Sequence, residues 1–166
     1  GATGFLGGAL VRRLRGLGWD VTGLGRDPKK LNELEDAGIR PLHADIRKKN
    51  QVSEAVKEQE FVFHCAAFPS PWGNYELFYQ ANVIGARNVA RACLENKVKR
   101  LVYVSTPSIY FENASRMSVK ESDPLPEPIS NYARTKLLAA EEIDRGVANG
   151  LAAISIRPRA LFGEGD

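Results

Sequence analysis

Short apolar runs alternate with longer amphipathic stretches along the chain, the pattern of β-α-β units around a parallel sheet. Residues 5–16 place Leu6, Ala9, Leu10 and Leu14 at helical spacing with arginines opposite, and Gly18 ends that helix. Asp20–Leu24 reads as a strand, 29–37 as a charged helix closed by Gly38, and Arg40–His43 as a short strand. A weak helix near 50–57 leads into Glu60–Ala66, a continuous apolar run of the kind buried on both faces. The spacing of Leu77, Ala81, Ile84, Val89, Ala92 and Cys93 predicts a long helix over 75–96, with Asn96 as its stop. Arg100–Ser105 is the next buried strand. Residues 107–129, with Pro107, Pro124, Pro126 and Pro128, form a long loop of the kind that serves function. Ser130 caps a helix to about Asn149, Gly150 ends it, and Ala153–Arg157 is the last strand, broken by Pro158.

The 166 residues suit one domain, and 43% apolar with 26% charged residues is ordinary globular composition, which excludes disorder and collagen-like repeats. No run approaches the length of a membrane helix, so no membrane span is expected, and no targeting signal is legible. The net charge is +3. No dense basic stripe interleaved with aromatics occurs, so no nucleic-acid partner is expected. Cys65 and Cys93 lie in apolar segments without metal-ligand spacing and read as reduced core residues of a cytoplasmic protein. His43 and His64 stand far apart without companion ligands, so no metal site is expected.

Gly1, Gly4 and Gly7 form G-x-x-G-x-x-G directly before the first helix. Such glycines permit a tight turn, close approach of backbone to a diphosphate and close helix–strand packing. The helix N-terminus offers unpaired N–H groups and the positive end of its dipole to phosphate. Alone the spacing is common. At the end of the following strand, where an acidic side chain would bind a ribose hydroxyl, stand Gly25 and Arg26. A guanidinium there suits a 2′-phosphate, which favours NADP over NAD as cofactor. Asp27 could fold back to a ribose or pair with Arg26.

Tyr132-Ala-Arg-Thr-Lys136 puts a phenol and an ammonium on one helix face. A free tyrosine titrates near 10, and a cation close by would stabilise its phenolate. Such a tyrosine exchanges a proton with a hydroxyl or carbonyl oxygen while hydride moves to or from nicotinamide. The Y-x-x-x-K spacing is frequent on surface helices. Its position after the Tyr103-Val104-Ser105-Thr106 strand end, in a chain opened by the glycine motif, gives it chemical meaning.

With GATGFLG at 1–7, Asp45-Ile46, HCAA at 64–67, ANVIGARNV at 81–89, YVSTPSIY at 103–110, YARTK at 132–136 and RPRALFGEGD at 157–166, the chain resembles the extended short-chain dehydrogenase/reductase family. That family holds nucleotide-sugar epimerases and 3β-hydroxysteroid dehydrogenase-like enzymes. The resemblance implies a Rossmann-like, doubly wound parallel sheet, with residues 1–166 as a dinucleotide-binding domain. It gives Gly1, Gly4 and Gly7 the diphosphate, with Phe5 and Leu6 supplying backbone. Asp45 and Ile46 would lie against adenine, Ala66 and Ala67 beside the cofactor, and Pro158 beside the nicotinamide. Tyr132 would be the acid/base and Lys136 its partner, also holding the nicotinamide ribose. Counting back four from Tyr110 makes Thr106 the third catalytic residue, ahead of its neighbour Ser105, while Asn82 braces the site. A homodimer through the helices at 75–96 and 130–149 is also implied.

Sugar dehydratases of the family carry Asp-Glu after the catalytic threonine; here stand Pro107 and Ser108, which argues against elimination chemistry. Phe111 replaces a usual glycine and is expected to make the pocket narrower and more apolar. The expected activity is therefore NAD(P)-dependent interconversion of hydroxyl and ketone on a small apolar molecule. The STPSIYF and RPRALFG stretches are similar to bacterial reductases of long-chain 2-alkyl-3-oxoacids. A nucleotide-sugar 4-epimerase and a non-catalytic NADP-sensing regulator are the alternatives. In the strand order 3-2-1-4-5-6 the first strand would precede Gly1 at the sheet centre. Without it and without a C-terminal substrate-binding part, residues 1–166 are expected to be a piece of a longer protein, unstable or inactive by themselves.

Overall fold

The computed structural model describes every residue except 71, 114–116, 164 and 166. Helix α1 (Phe5–Gly16) is followed by β1 (Thr22–Gly25), α2 (Pro28–Asp36), β2 (Arg40–His43), α3 (Lys49–Val56) and β3 (Phe61–His64). Then come α4 (Tyr75–Phe78), a π-helical segment (Tyr79–Ile84), α5 (Gly85–Glu95), β4 (Arg100–Val104), a 3₁₀ turn (Pro107–Tyr110), α6 (Asn131–Ala148) and β5 (Ala153–Ile156). Every neighbouring strand pair is parallel, as β-α-β connections require.

The strands form two sheets, β1-β2 and β3-β4-β5. Between them runs a cavity of about 610 Å³, lined by Thr22 and Leu24 of β1, Phe61 to His64 of β3, and Leu10, Val11 and Leu14 of α1. This gap stands at the sheet centre, where the strand order anticipated it. Residues 1–2 reach into one end of it: the Ala2 amide donates to the Leu24 carbonyl at 3.2 Å, and Gly1 lies against the Cys65–Ala66 backbone.

The main core packs β3 and β4 against α5 and α6, through Val89, Ala90, Cys93, Leu101, Tyr103, Ala139 and Ile143. A smaller core, with Leu31, Leu34 and Ile39, joins α2 to β1 and β2. The sheet β3-β4-β5 is covered on one face only. Phe61 and Phe63 are 39% and 36% exposed, and Ile154 and Ile156 are 50% and 42% exposed. The expectation that the run at 60–66 is buried on both faces is thus corrected: no helix among the described residues covers its second face.

Two predicted helix stripes also shift. In α1 the buried residues are Gly7, Gly8 and Val11 while Ala9 is exposed, because the glycines bring the helix down onto residues 1–2. In the helix at 75–96 the π turn adds one residue per turn and rotates the apolar face. Phe78, Asn82, Val83 and Ala86 are buried, whereas Leu77 is 53% exposed. The predicted stops are where the sequence puts them. Asn96 closes α5 with its amide on the Ala92 carbonyl at 2.9 Å, and Ser130 caps α6 by accepting from the Ala133 amide at 3.1 Å.

Candidate active site

The candidate residues gather at the C-terminal ends of the strands. Gly1 and Ala2 pass between β1 and the residues after β3, and Gly4 caps α1 with no side chain supplying a capping hydrogen bond. The first helical turn, with Phe5, Leu6 and Gly7, leaves its amides for an outside acceptor, and no acidic residue lies in that turn. A Cβ on Gly1 would meet the Ala66 amide nitrogen at 2.6 Å, and one on Gly7 would meet the Gly1 carbonyl oxygen at 2.0 Å. At Gly4 the nearest atom would be 3.5 Å away. Gly1 and Gly7 are therefore demanded by the protein's own packing. Gly4 is not, and its bare α-carbon leaves backbone open for a close ligand. These features fit the diphosphate of a dinucleotide.

Arg26 follows the end of β1 and is exposed, its carbonyl oxygen 3.1 Å from His43 Nε2. Asp27 has a local role at the start of α2. Its carboxylate caps α2, accepting from the Lys29 amide at 2.9 Å and from that of Lys30. Asp45 accepts from the Arg47 guanidinium through both oxygens, which holds its carboxyl below the usual range. Ile46 is partly buried over Gly85, where an added Cβ would meet its Cδ1 at 2.6 Å, and its carbonyl accepts from Asn88 at 2.9 Å. Ala66 and Ala67 are half-buried after β3, and Pro158 lies just past β5.

Thr106 follows the end of β4 and caps the Pro107–Tyr110 turn. Its hydroxyl accepts from the Ser108 amide at 3.2 Å and lies 3.0 Å from Ser108 Oγ. The Tyr132 phenol is near enough to Thr106 for that side chain to act on it. Burial raises the Tyr132 pKa above its ordinary value, and the Thr106 contact opposes that rise. Lys136 is not among the groups that shift the phenol. Lys136 Nζ donates instead to the Val104 carbonyl at 2.8 Å and stands 4.4 Å from the centre of the Tyr103 ring. Burial brings its own pKa down to about 7. Ser105 is buried beside Thr106, and Phe111 is 49% exposed at the start of the long loop.

Asn82, in the π turn, ties three parts of the site together. Its Oδ1 accepts from the Phe68 amide at 2.8 Å, and its Nδ2 donates to Thr135 Oγ1 at 3.0 Å. Thr135 in turn donates to the Asn131 carbonyl at 2.7 Å. The segment beside Ala66 and Ala67 is thereby fixed to the helix that carries Tyr132 and Lys136. Thr135, Asn88 and Tyr103 were not singled out from sequence. A tyrosine among the aliphatic residues of β4 and a fully buried threonine next to Lys136 are the traces they leave.

The model of the NAD dependent epimerase/dehydratase family matches residues 1–166. The chain belongs to this family. Within the epimerase/dehydratase family it is similar to the 2-alkyl-3-oxoalkanoate reductase of Shewanella oneidensis, 34% identical over all of this chain and 44% of that protein. It is 38% identical to the 3beta-hydroxysteroid-dehydrogenase/decarboxylase isoform 2 of Arabidopsis thaliana, over 84% of this chain and 26% of that one. Among solved structures, the Thermus thermophilus UDP-glucose 4-epimerase complex with NAD superposes with a TM-score of 0.82 and 28% identity, covering 95% of this chain and 52% of that one. The chain thus spans about half the length of the first curated relatives it matches. No helix among the described residues is long and apolar enough to cross a membrane, and no metal-binding cluster occurs among them.

Proposed function

We propose that the protein interconverts a secondary hydroxyl and a ketone using a nicotinamide dinucleotide, with Tyr132 as acid/base. The observation that carries this reading is the Lys136 ammonium donating to the Val104 carbonyl at 2.8 Å, which brings the helix bearing Tyr132 to the strand end that leads into Thr106. Gly1, Gly4 and Gly7, with the Phe5 and Leu6 amides, bind the diphosphate. Asp45 and Ile46 flank the adenine, Ala66 and Ala67 the middle of the cofactor, and Pro158 its nicotinamide. When bound, the dinucleotide supplies the carbon that gives or takes hydride. Tyr132 moves the proton at the substrate oxygen, Thr106 hydrogen-bonds that oxygen, and the Lys136 cation favours the phenolate once it forms. Arg26 makes NADP the preferred cofactor.

The substrate class follows from shared chemistry in the names of similar proteins. A 2-alkyl-3-oxoalkanoate has its ketone on the carbon next to the one bearing the carboxylate. The sterol-4-alpha-carboxylate 3-dehydrogenase of Homo sapiens, 30% identical over all of this chain and 46% of that protein, acts at the same relative position. We therefore assign a 3-oxo or 3-hydroxy acid carrying a large apolar 2-substituent. A homodimer through α5 and α6 belongs to the same proposal, and sedimentation of the full-length protein measures it.

The test is turnover of a panel of 2-alkyl-3-oxoacids, simple ketones and nucleotide sugars by the full-length protein with NADPH or NADH. NADPH oxidation with the oxoacids is expected, and Tyr132→Phe should lower it about 100- to 10,000-fold while dinucleotide binding persists. Equal turnover by the variant removes Tyr132 from the chemistry. The likeness to the Thermus epimerase favours a second reading, 4-epimerisation of a nucleotide sugar; the nucleotide-sugar arm of the panel distinguishes it.

A further inference from the structure

Lys136 is buried, and its ammonium meets two groups of one strand. Nζ donates to the Val104 carbonyl at 2.8 Å and stands over the face of the Tyr103 ring, 4.4 Å from its centre. The lysine is 2% exposed and the tyrosine 1%. His64 of β3 stacks on the same tyrosine, with ring centres 5.6 Å apart and planes inclined by 29°. The face of an aromatic ring is negative, and its attraction for a cation grows when water is excluded. One carbonyl leaves two of the three ammonium donors to other partners, so the ring face is a substantial part of the surroundings that keep this lysine charged.

We propose that Tyr103 is a positioning residue for Lys136, its ring face holding the ammonium charged and in place at the end of β4. The claim rests on reading Tyr132 and Lys136 as the acid/base pair, since its value to the protein is a cation kept ready beside the phenol. The other groups around the lysine do not supply this. Burial drives Lys136 toward the neutral amine, and the Cys65 thiol, after β3, is the group that pulls it back. Burial raises that thiol above its ordinary range, so it is protonated at neutral pH. Burial also holds His64 neutral, with a pKa of about 3. The Tyr103 phenol is pushed up by burial, with Tyr132 adding to that rise. With these neighbours neutral, the quadrupole of the Tyr103 ring does what a carboxylate does in other lysine sites.

The test replaces Tyr103 in the full-length protein by phenylalanine and then by phenylalanines with one, two and three ring fluorines. Fluorine withdraws charge from the ring face while nearly preserving its shape. The ¹³Cε shift of Lys136, assigned with Lys136→Arg, reports its protonation against pH without substrate or cofactor. Tyr103→Phe should leave the proton affinity of Lys136 nearly unchanged, and the trifluoro ring should weaken it by about threefold to tenfold. Intermediate rings should fall in order between them. A flat response across the series overturns the proposal. Tyr103→Leu should match or exceed the trifluoro effect, and should this variant not fold, the fluorinated series decides alone. Because the readout needs no turnover, a protein without ketone reductase activity whose Lys136 still follows the series refutes the activity and not the ring contact.

Discussion

The carbonyl oxygen of Gly1 occupies the space that a side chain at Gly7 would need: a Cβ there would come within 2.0 Å of it. The turn and the first helix are therefore pressed together backbone to backbone. Gly7→Ala must move one of them, at a cost on the order of 3 kcal/mol. Gly4→Ala meets nothing closer than 3.5 Å. The two variants should separate: Gly7→Ala lowers both the melting temperature and dinucleotide affinity, and Gly4→Ala lowers affinity alone. Calorimetric melting with and without NADPH measures both. Equal melting temperatures for Gly7→Ala and the parent would contradict the packing argument.

Arg26 is exposed at the end of β1, two residues before the α2 helix that Asp27 caps. Losing a charge-assisted contact to a 2′-phosphate costs about 1.5–3 kcal/mol. Arg26→Ala should thus weaken NADPH about 10- to 100-fold and leave NADH within a factor of two. Titration of both cofactors by fluorescence measures the ratio, and parallel losses would place the selectivity elsewhere.

Asn82 is the single side chain that links the Phe68 amide to Thr135. Asn82→Leu keeps the branching of the side chain but leaves a partly buried N–H and a buried hydroxyl without that partner. The expected loss is about 1–3 kcal/mol of stability, with faster amide exchange at Phe68 than at helix positions far from the site. Hydrogen exchange read by mass spectrometry locates it. Unaltered protection at Phe68 would mean the bridge is dispensable.

His64 is buried and neutral, its Nε2 without a partner among the described residues. Burial lowers its pKa from 6.5 to about 3. In the unfolded chain it takes up a proton as pH falls through 6.5, and in the folded chain only near 3. The unfolded state thus binds more protons in that window, so stability is full above pH 6.5 and falls as the pH is lowered. Between pH 6.5 and 5 the loss is about 2 kcal/mol from this group. Comparing melting temperatures of the protein and His64→Leu across this range isolates it. The variant's curve should be flatter, and identical slopes would exclude His64 as the source.

The β-α-β order was legible because apolar runs and helix stops fall in register with the glycines: Gly18, Gly38 and Gly150 all adopt positive φ where helices end. The glycine turn was legible for the same reason, since its spacing encodes contacts among residues 1–7. The rotated face of the helix at 75–96 was not legible, because the π turn at Tyr79–Ile84 leaves no mark in the apolar spacing. Nor was the lodging of Lys136. Helical spacing places it one turn from Tyr132, but its ammonium is turned toward β4, a strand remote in sequence. The capping role of Asp27 is readable locally, as an acid before Pro28 at a helix start.

The gap between β1 and β3 leaves two parallel rows of peptide groups facing one another. Such rows accept any extended peptide that presents the complementary donors and acceptors. An extended peptide seated there would join the half carrying Arg26 to the half carrying Tyr132. Backbone pairing across the gap would then set the spacing of the two halves without using a single side chain of the candidate site.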